Sequence, residues 1–488
     1  MLYRLQRRYL DGTSYMQCGD RTVGAIGRLI AACLISISSA ALPARSADYS
    51  VGNSRPPHLA RVEPEITWGN STSRQLSMGP PGDPISLRAH LESFGVLYSF
   101  VYINEILGNV GGGFRQGPIY AGKLEASLTI DFGKLAGVNG LSLFANTFQI
   151  HDTGGLRDRS FGRLITVSNI EAFPSTRASE IWIEQKWSSD RFGLRLGQLT
   201  ADGEFFSADY GKLFLSNDWP TITGANLPAG GPAYPVSTPG VRLRFDPDDS
   251  TSALAAVFNG DPGEQRLRNR AGTNFSVDGP PLVMAEVQHR YNQEDAAGLA
   301  GSFKLGGYYH FGRFDHLRFD RVGLPLASPS STGVTRRLGG TSGIYVVAEL
   351  QLQGGGPEDG ITVYTRISAS PSDRNLVDRW ADGGIVFAGM VPGRPNDKFG
   401  ASLIYAGIGE SARGFDRDMR RLTNDLRPIR SFCATFEVSY QTQIMPGWVV
   451  QPDFQYVFKP AGGIVSPFDH TARVRGGPVF GLRSTFLY

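Results

Sequence analysis

The 488-residue sequence predicts an all-β protein, a transmembrane antiparallel up-and-down β-barrel of about sixteen strands. Three observations lead there. Segments of roughly ten residues alternate apolar with polar side chains, the period of a strand that has one greasy and one wet face. The connections between these segments alternate short and long. The chain ends inside such a segment, VFGLRSTFLY, in which Tyr488, Phe486, Ser484, Leu482 and Phe480 share one face. An open aromatic edge invites aggregation. In a closed barrel the last strand pairs with the first, and the edge disappears.

The first element is a leader. Arg4, Arg7, Arg8, Arg21 and Arg28 precede the apolar run LIAACLISISSAAL (29–42), and small residues follow around Ala44–Ala47. This is the pattern of a secretory signal peptide over residues 1–47; the run is too short to span a bilayer as a helix. The basic flank is long, and Met16 is an alternative start. Cleavage near Ala47 removes six arginines and two aspartates, so the formal charge of +3 falls to about −1. The basicity belongs to the leader, which removes the electrostatic argument for nucleic-acid binding. Of Cys18, Cys33 and Cys433 only the last remains, and the mature chain has no internal disulfide. Residues 48–87 hold Pro56, Pro57, Pro64, Pro80, Pro81 and Pro84 and read as an extended periplasmic segment.

The barrel is expected over 88–488, with strands near 88–104, 122–133, 141–150, 179–187, 191–199, 240–246, 251–258 and 282–291. The second half reads 298–310, 343–353, 361–370, 383–391, 398–406, 431–444, 448–458 and 475–488. In SEIWIEQKW, Ile181, Ile183 and Trp187 oppose Glu180, Trp182, Glu184 and Lys186. In RFGLRLGQL, Phe192, Leu194 and Leu196 oppose Arg195, and GVRLRF sets Val241, Leu243 and Phe245 against Arg242 and Arg244. Short connectors such as SSD, DPDDS and MPG alternate with long stretches at 151–178, 200–239, 259–281, 311–342, 407–430 and 459–474. A bacterial outer-membrane barrel has this asymmetry, with tight periplasmic turns and longer outside loops. An even strand count puts both termini on the periplasmic side.

Several stretches resemble the carbohydrate-selective outer-membrane porin family, OprB-like. The clearest is LFLSNDWPTITGANLPAGGPAYPVSTPGVRLRFDPDDSTSALAAVFNGDPG; others are RASEIWIEQKW, LGQLTADGEFF, GGYYHFGRF, DGGIVFAGMVPGRPND and FEVSYQTQIMPGWVVQPDFQYVFKPAGG. They occur in the family's order and cover nearly all of 90–488. The resemblance implies sixteen strands and facilitated diffusion of glucose or related mono- and oligosaccharides without energy input. It also implies that the terminal strand ending at Tyr488 is the signal read by the barrel-assembly machinery, a group in which phenylalanine is the usual last residue. Independently, sixteen strands leave a water-filled lumen where eight would be filled by side chains.

A sugar is neutral, rich in hydroxyls, and has apolar C–H faces, so a pore that favours it should offer charged hydrogen-bonding groups and aromatic surface. Alternation points Glu125, Trp182, Glu184, Arg195, Arg242 and Arg244 into the lumen. An arginine fork beside a carboxylate can bind vicinal hydroxyls while the ion pair stays satisfied. The competing reading is that these charges only pair across strands and keep the wall hydrated. The constriction candidate is 200–239, long and carrying Asp202, Glu204, Asp209, Lys212, Asp218, Trp219 and Tyr234, stiffened by prolines. A mobile outer lid is the alternative role for it.

His310 and His316 read as loop residues rather than metal ligands. LGNVGGGFRQG (107–117) lacks the GK[ST] ending of a phosphate loop and reads as a bend at the rim. No cofactor is expected. The rivals to a sugar porin are a nonselective or anion-preferring porin, a barrel enzyme and a structural or adhesive barrel. The enzyme would need a nucleophile–base constellation, and no G-x-S-x-G elbow is present. Partners are carbohydrate solutes and outer-membrane lipid. No sequence pattern marks a subunit interface, and a homotrimer, common among large porins, stays open.

Overall fold

Each of the sixteen expected segments forms a strand. In a computed structural model that describes residues 87–154, 160–162, 164–217, 232–293, 298–354 and 360–488, every strand pairs antiparallel with its neighbours in sequence, and the last returns to the first. The expected leader, the segment 48–86 and loop residues 218–231, Trp219 among them, lie outside the described residues. The first eight strands are β1 Val96–Asn109, β2 Gly117–Asp131, β3 Leu141–Asp152, β4 Ser175–Trp187, β5 Phe192–Leu199, β6 Thr238–Phe245, β7 Thr251–Asn259 and β8 Pro281–Tyr291. Then follow β9 Gly301–Asp320, β10 Thr335–Gln353, β11 Gly360–Ala369, β12 Val377–Ala388, β13 Lys398–Ile408, β14 Phe432–Met445, β15 Trp448–Phe458 and β16 Gly477–Leu487.

The seam is closed by register. β1 and β16 pair from Val101 opposite Leu487 to Asn109 opposite Val479. Beyond the strand's assigned end, Tyr488 donates its N–H to the Phe100 carbonyl and accepts from the Phe100 N–H, both at 2.8 Å. The terminal tyrosine is therefore a paired residue, with the Arg88 guanidinium 5.0 Å from its ring centre. Inside the barrel an ion pair crosses the same seam, from Arg483 of β16 to Glu105 of β1.

Alternation holds along the wall. Ile181, Ile183, Leu243 and Phe245 are exposed on the outer face, and Trp182, Glu184, Arg195 and Arg242 are buried on the inner one. The tight turns are locally encoded. At the β2–β3 connection Asp131 accepts the Gly133 N–H at 2.8 Å, capping a single helical turn, and Gly137 at φ 73° ends it.

Four expectations change. Residues 87–93 form a short helix, so the first strand starts at Val96 rather than near 88. The alternation of connection lengths is not strict, because 110–116 and 370–376 lie on the long-loop side with only seven residues each. Most of 311–342 is strand, not loop. β9 and β10 run for 20 and 19 residues, twice what a membrane crossing needs, and beyond the bilayer no face has to be apolar, which is why GRFDHLRFD hid its strand period. His310 and His316 therefore stand on β9, with His310 Nε2 3.0 Å from the Gly260 carbonyl oxygen. Finally, 407–430 contains a helix, Glu410–Thr423, whose Asp418 pairs with Arg318 of β9 at 2.7 Å.

Leu403, in the middle of β13 and half exposed on the outer face, tests the assignment of faces. Leu403→Arg should cost about 2–4 kcal/mol of folding stability in a lipid bilayer, the midplane penalty for a lipid-facing cation, and Leu403→Val close to nothing. Urea unfolding in vesicles would measure both.

Candidate functional site

A barrel of sixteen strands encloses more space than its own side chains fill. Here the long β5–β6 connection enters that space and lies along the inner wall. Its backbone amides would be left unpaired there, and inward-pointing glutamates on four strands spaced around the wall take them up. Glu180 of β4 accepts the Thr200 N–H at 3.2 Å, Glu286 of β8 the Phe206 N–H at 2.8 Å, and Glu349 of β10 the Tyr210 N–H at 2.8 Å. Glu437 of β14 accepts from both Leu215 and Ser216, at 2.5 and 2.9 Å.

Cations complete the attachment. Lys304 donates to the Ser207 carbonyl at 2.8 Å. Arg366 of β11 forms a fork on Asp382 and reaches the Asn217 amide oxygen at 2.5 Å. Phe206 lies 4.2 Å from Tyr345, ring to ring, at a backbone φ of 55° that a bulky residue seldom adopts. Gly400 makes room at the far wall: a Cβ there would come within 3.0 Å of the Phe214 ring and 2.5 Å of the Ile385 carbonyl. The β3–β4 connection is held inside as well, by Ser168 on Glu105 at 2.5 Å and Gln455 on the Val167 carbonyl at 2.8 Å. The two connections meet where the Asn169 N–H donates to the Leu215 carbonyl at 2.8 Å.

Where the β5–β6 connection leaves the wall, four charges form an alternating group. Glu184 accepts from Arg195 at 3.0 Å and from Arg242 at 2.9 Å. Arg242 also grips both oxygens of Glu204 on the loop, at 2.6 and 2.9 Å, and Arg195 stands 3.6 Å from the same carboxylate. Burial works against ionisation of Glu204, but the guanidiniums of Arg195 and Arg242 outweigh it and hold the carboxyl below the usual carboxylate range. Gly193 leaves the space the group needs, since a Cβ there would meet Glu184 Oε1 at 3.3 Å.

Of the residues expected to contact solute, Glu184, Arg195 and Arg242 come together in this group. Trp182 joins it, but not as an open sugar platform: Phe144 stacks on the ring at 5.1 Å and the Arg195 guanidinium lies 3.8 Å from its centre. Its role here is to support Arg195. Its buried indole N–H has no hydrogen-bond partner among the described residues. Glu125 lies on β2, paired with Lys123 at 3.3 Å and with Asn146 at 3.1 Å. Asp202 accepts the Tyr234 N–H at 2.8 Å and ties the two ends of the loop. Asp209 pairs with Lys212 at 2.5 Å. Burial would raise its carboxyl, but Lys212, Lys304 and Arg290 hold it well below the usual range. Arg244 stands apart near the short-turn end of β6, on Asp246 at 3.0 Å.

Residues the sequence reading passed over include Glu286, Glu349, Glu437, Lys304 and Arg366. Each is an inward charge in the interior of an apolar-alternating strand, and that position was the available signal.

A family profile described as carbohydrate-selective porin, OprB family, matches residues 115–488. Porin B of Pseudomonas aeruginosa is 20% identical over 407 residues, which are 78% of this chain and 87% of that one. The high-pH structure of Pseudomonas putida OprB superposes with a TM-score of 0.74 at 19% identity, covering 85% of this chain and all of that one.

Removing the Glu437 carboxyl takes away two hydrogen bonds, each worth about 0.5–1.5 kcal/mol. Glu437→Ala should free the loop segment around Leu215 and raise single-channel conductance in a planar bilayer, whereas Glu437→Gln, with one acceptor oxygen left, should fall between. Unchanged conductance in Glu437→Ala would show that the loop does not narrow the lumen.

Proposed function

The chain belongs to the carbohydrate-selective porin, OprB family, and on that premise we propose that the arginine–glutamate group at the root of its lumen loop is what selects sugars. The protein is a β-barrel channel of the bacterial outer membrane. Within this reading, carbohydrates such as glucose and other mono- and oligosaccharides cross by passive diffusion toward the periplasm. The termini and short turns face the periplasm, and the long loops face outward. The chain does no chemistry on its cargo. Its terminal strand, ending at Tyr488, is the segment read by the barrel-assembly machinery, and a homo-oligomer is part of the same picture.

One observation supports selectivity most. The charges placed at the loop root are mutually compensated: two guanidiniums against two carboxylates, with 2–10% of each side chain exposed. Such a group has little net field to attract an ion, yet dense donors and acceptors at fixed spacing. A neutral polyol can exchange hydrogen bonds with it as it sheds water, and weak exchange of that kind permits escape as well as binding. The same balance argues against the anion-preferring alternative, which would need uncompensated cations lining the narrowest part. Glu125, Asp202 and Asp209 belong to this reading as further polar contacts along the path. So does Trp219, which the sequence alone nominates.

Swelling of liposomes containing the purified protein tests the proposal. Glucose should enter faster than a neutral amino acid of similar size, and sucrose should be slower than glucose. Equal rates for the size-matched pair would leave a generic pore. Arg242→Met should lower the glucose preference by roughly 5–10-fold, the equivalent of about one net hydrogen bond.

A further inference from the structure

At their long-loop ends β12 to β15 carry an outward row unlike the apolar band below it. Register sets Arg379 of β12 beside Gly407 of β13, and Gly407 beside Phe432 of β14. Lys459, the first residue past β15, brings its Nζ to 3.9 Å from the centre of the Phe432 ring, a cation–π contact. One row lower, the exposed Tyr405 stacks on Phe432 at 5.3 Å between ring centres. Gly407 keeps the ground between Arg379 and Phe432 open, since a Cβ there would meet the Tyr405 ring at 3.3 Å. The result is an aromatic floor with a cation on each side. From β12 to β15 is three strand spacings of about 4.8 Å, or about 14 Å.

The protein does not neutralise these cations as it does others on the same side. Arg318 pairs with Asp418, Arg374 with Asp373 and Arg430 with Asp416. Lys459 and Arg473, both on the last long loop, have no carboxylate partner among the described residues. Lys459 donates to Ser431 Oγ at 3.3 Å, and Arg473 to the Ile429 carbonyl at 3.2 Å. Burial lowers the pKa of the Lys459 ammonium, and the nearby Arg473 guanidinium lowers it further, as two cations without an anion do to each other. Arg379 pairs only with its sequence neighbour Asp378, at 3.3 Å, and keeps 64% of its side chain exposed. Cations at the edge of a bilayer lie among lipid headgroups, which can supply the anion.

We propose that this row binds the headgroup of a phosphorylated glycolipid of the outer leaflet, a disaccharide with a phosphate at each end. This is a particular seat in the wall, beyond the general contact with lipid that any barrel makes. It rests on reading the long loops as outward, and not on the passage of sugars. Each feature has its counterpart in such a headgroup. One phosphate suits Arg379, and the other suits Lys459 with Arg473, the guanidiniums as two-pronged donors and the ammonium as a point charge. The apolar C–H face of a pyranose suits the Tyr405–Phe432 surface. The distance of about 14 Å between the two sides is on the order of a disaccharide with its terminal phosphates. Acyl chains hanging from it run over Leu403, Phe436 and Val438, exposed apolar residues lower on β13 and β14.

The test titrates the full chain in detergent, followed by native mass spectrometry, with three lipids. These are lipid A with both phosphates, dephosphorylated lipid A, and cardiolipin, which has two phosphates and no sugar ring. The first should bind tightest. Lys459→Met and Arg473→Met should each weaken it about 5-fold, the worth of one cation near an anionic lipid surface, and together about 25-fold. Tyr405→Leu should erase the preference over cardiolipin. Arg191→Met, at a short turn on the other side, should change nothing, and glucose swelling rates should match the native chain throughout. Equal binding of dephosphorylated lipid A or of cardiolipin to the native chain would overturn the proposal, and so would native affinity in the double variant. If the double variant fails to fold, the two single variants decide. Orientation is read separately: Phe468→Cys, 81% exposed on the same loop, should react with a membrane-impermeant maleimide on intact cells. No labelling there would overturn the outward reading and the outer-leaflet assignment with it, even where lipid A binds in detergent.

Discussion

The structure depends on one constraint: in hydrocarbon, a strand's backbone N–H and C=O groups have no partner but another strand. A sheet of any size with free edges is excluded, and only a closed one is tolerated. The chain meets this by bringing its last residues back to its first strand, with Tyr488 exchanging two hydrogen bonds with Phe100 and the register running to Asn109 opposite Val479. The terminal aromatic residue that would be an aggregation edge in a water-soluble sheet is here the end of the closing ladder.

Closure with this many strands creates a second problem, which the same chemistry answers. The lumen is too wide to be filled by wall side chains, and loops that enter it bring their own unpaired amides. Wall glutamates on β4, β8, β10 and β14 accept those amides, from Glu180 through Glu286 and Glu349 to Glu437. Loop backbone thus replaces lumen water as the partner of these carboxylates. The arginines at the loop root serve both ends at once: Arg242 grips Glu204 on the loop and Glu184 on the wall. In the proposed reading, positioning the loop and presenting a compensated polar surface to solute are one arrangement.

Strands were legible in the sequence because their cause is external and uniform, lipid on one side and water on the other. Ile181 and Ile183 against Trp182 and Glu184 needed no partner to be placed. Legibility failed where that cause stops. The extensions of β9 and β10 stand outside the bilayer and lack an apolar face, and the helix Glu410–Thr423 is fixed by contacts such as Arg318 on Asp418. Inward charges could be named from alternation alone, but not their partners. Trp182 looked like a sugar platform because its face was known and its neighbours Phe144 and Arg195 were not.

Closure in the stated register is the claim on which everything else stands, and a disulfide reads it directly. With the native cysteines replaced by serine, Ile103→Cys and Thr485→Cys place two thiols on directly opposed inward positions of β1 and β16. Oxidation of the folded protein in vesicles should cross-link this pair, while Ile103→Cys with Gly481→Cys, displaced along the strand, should stay reduced. Free thiols in both, or equal cross-linking of both, would contradict a barrel closed through its terminal strand.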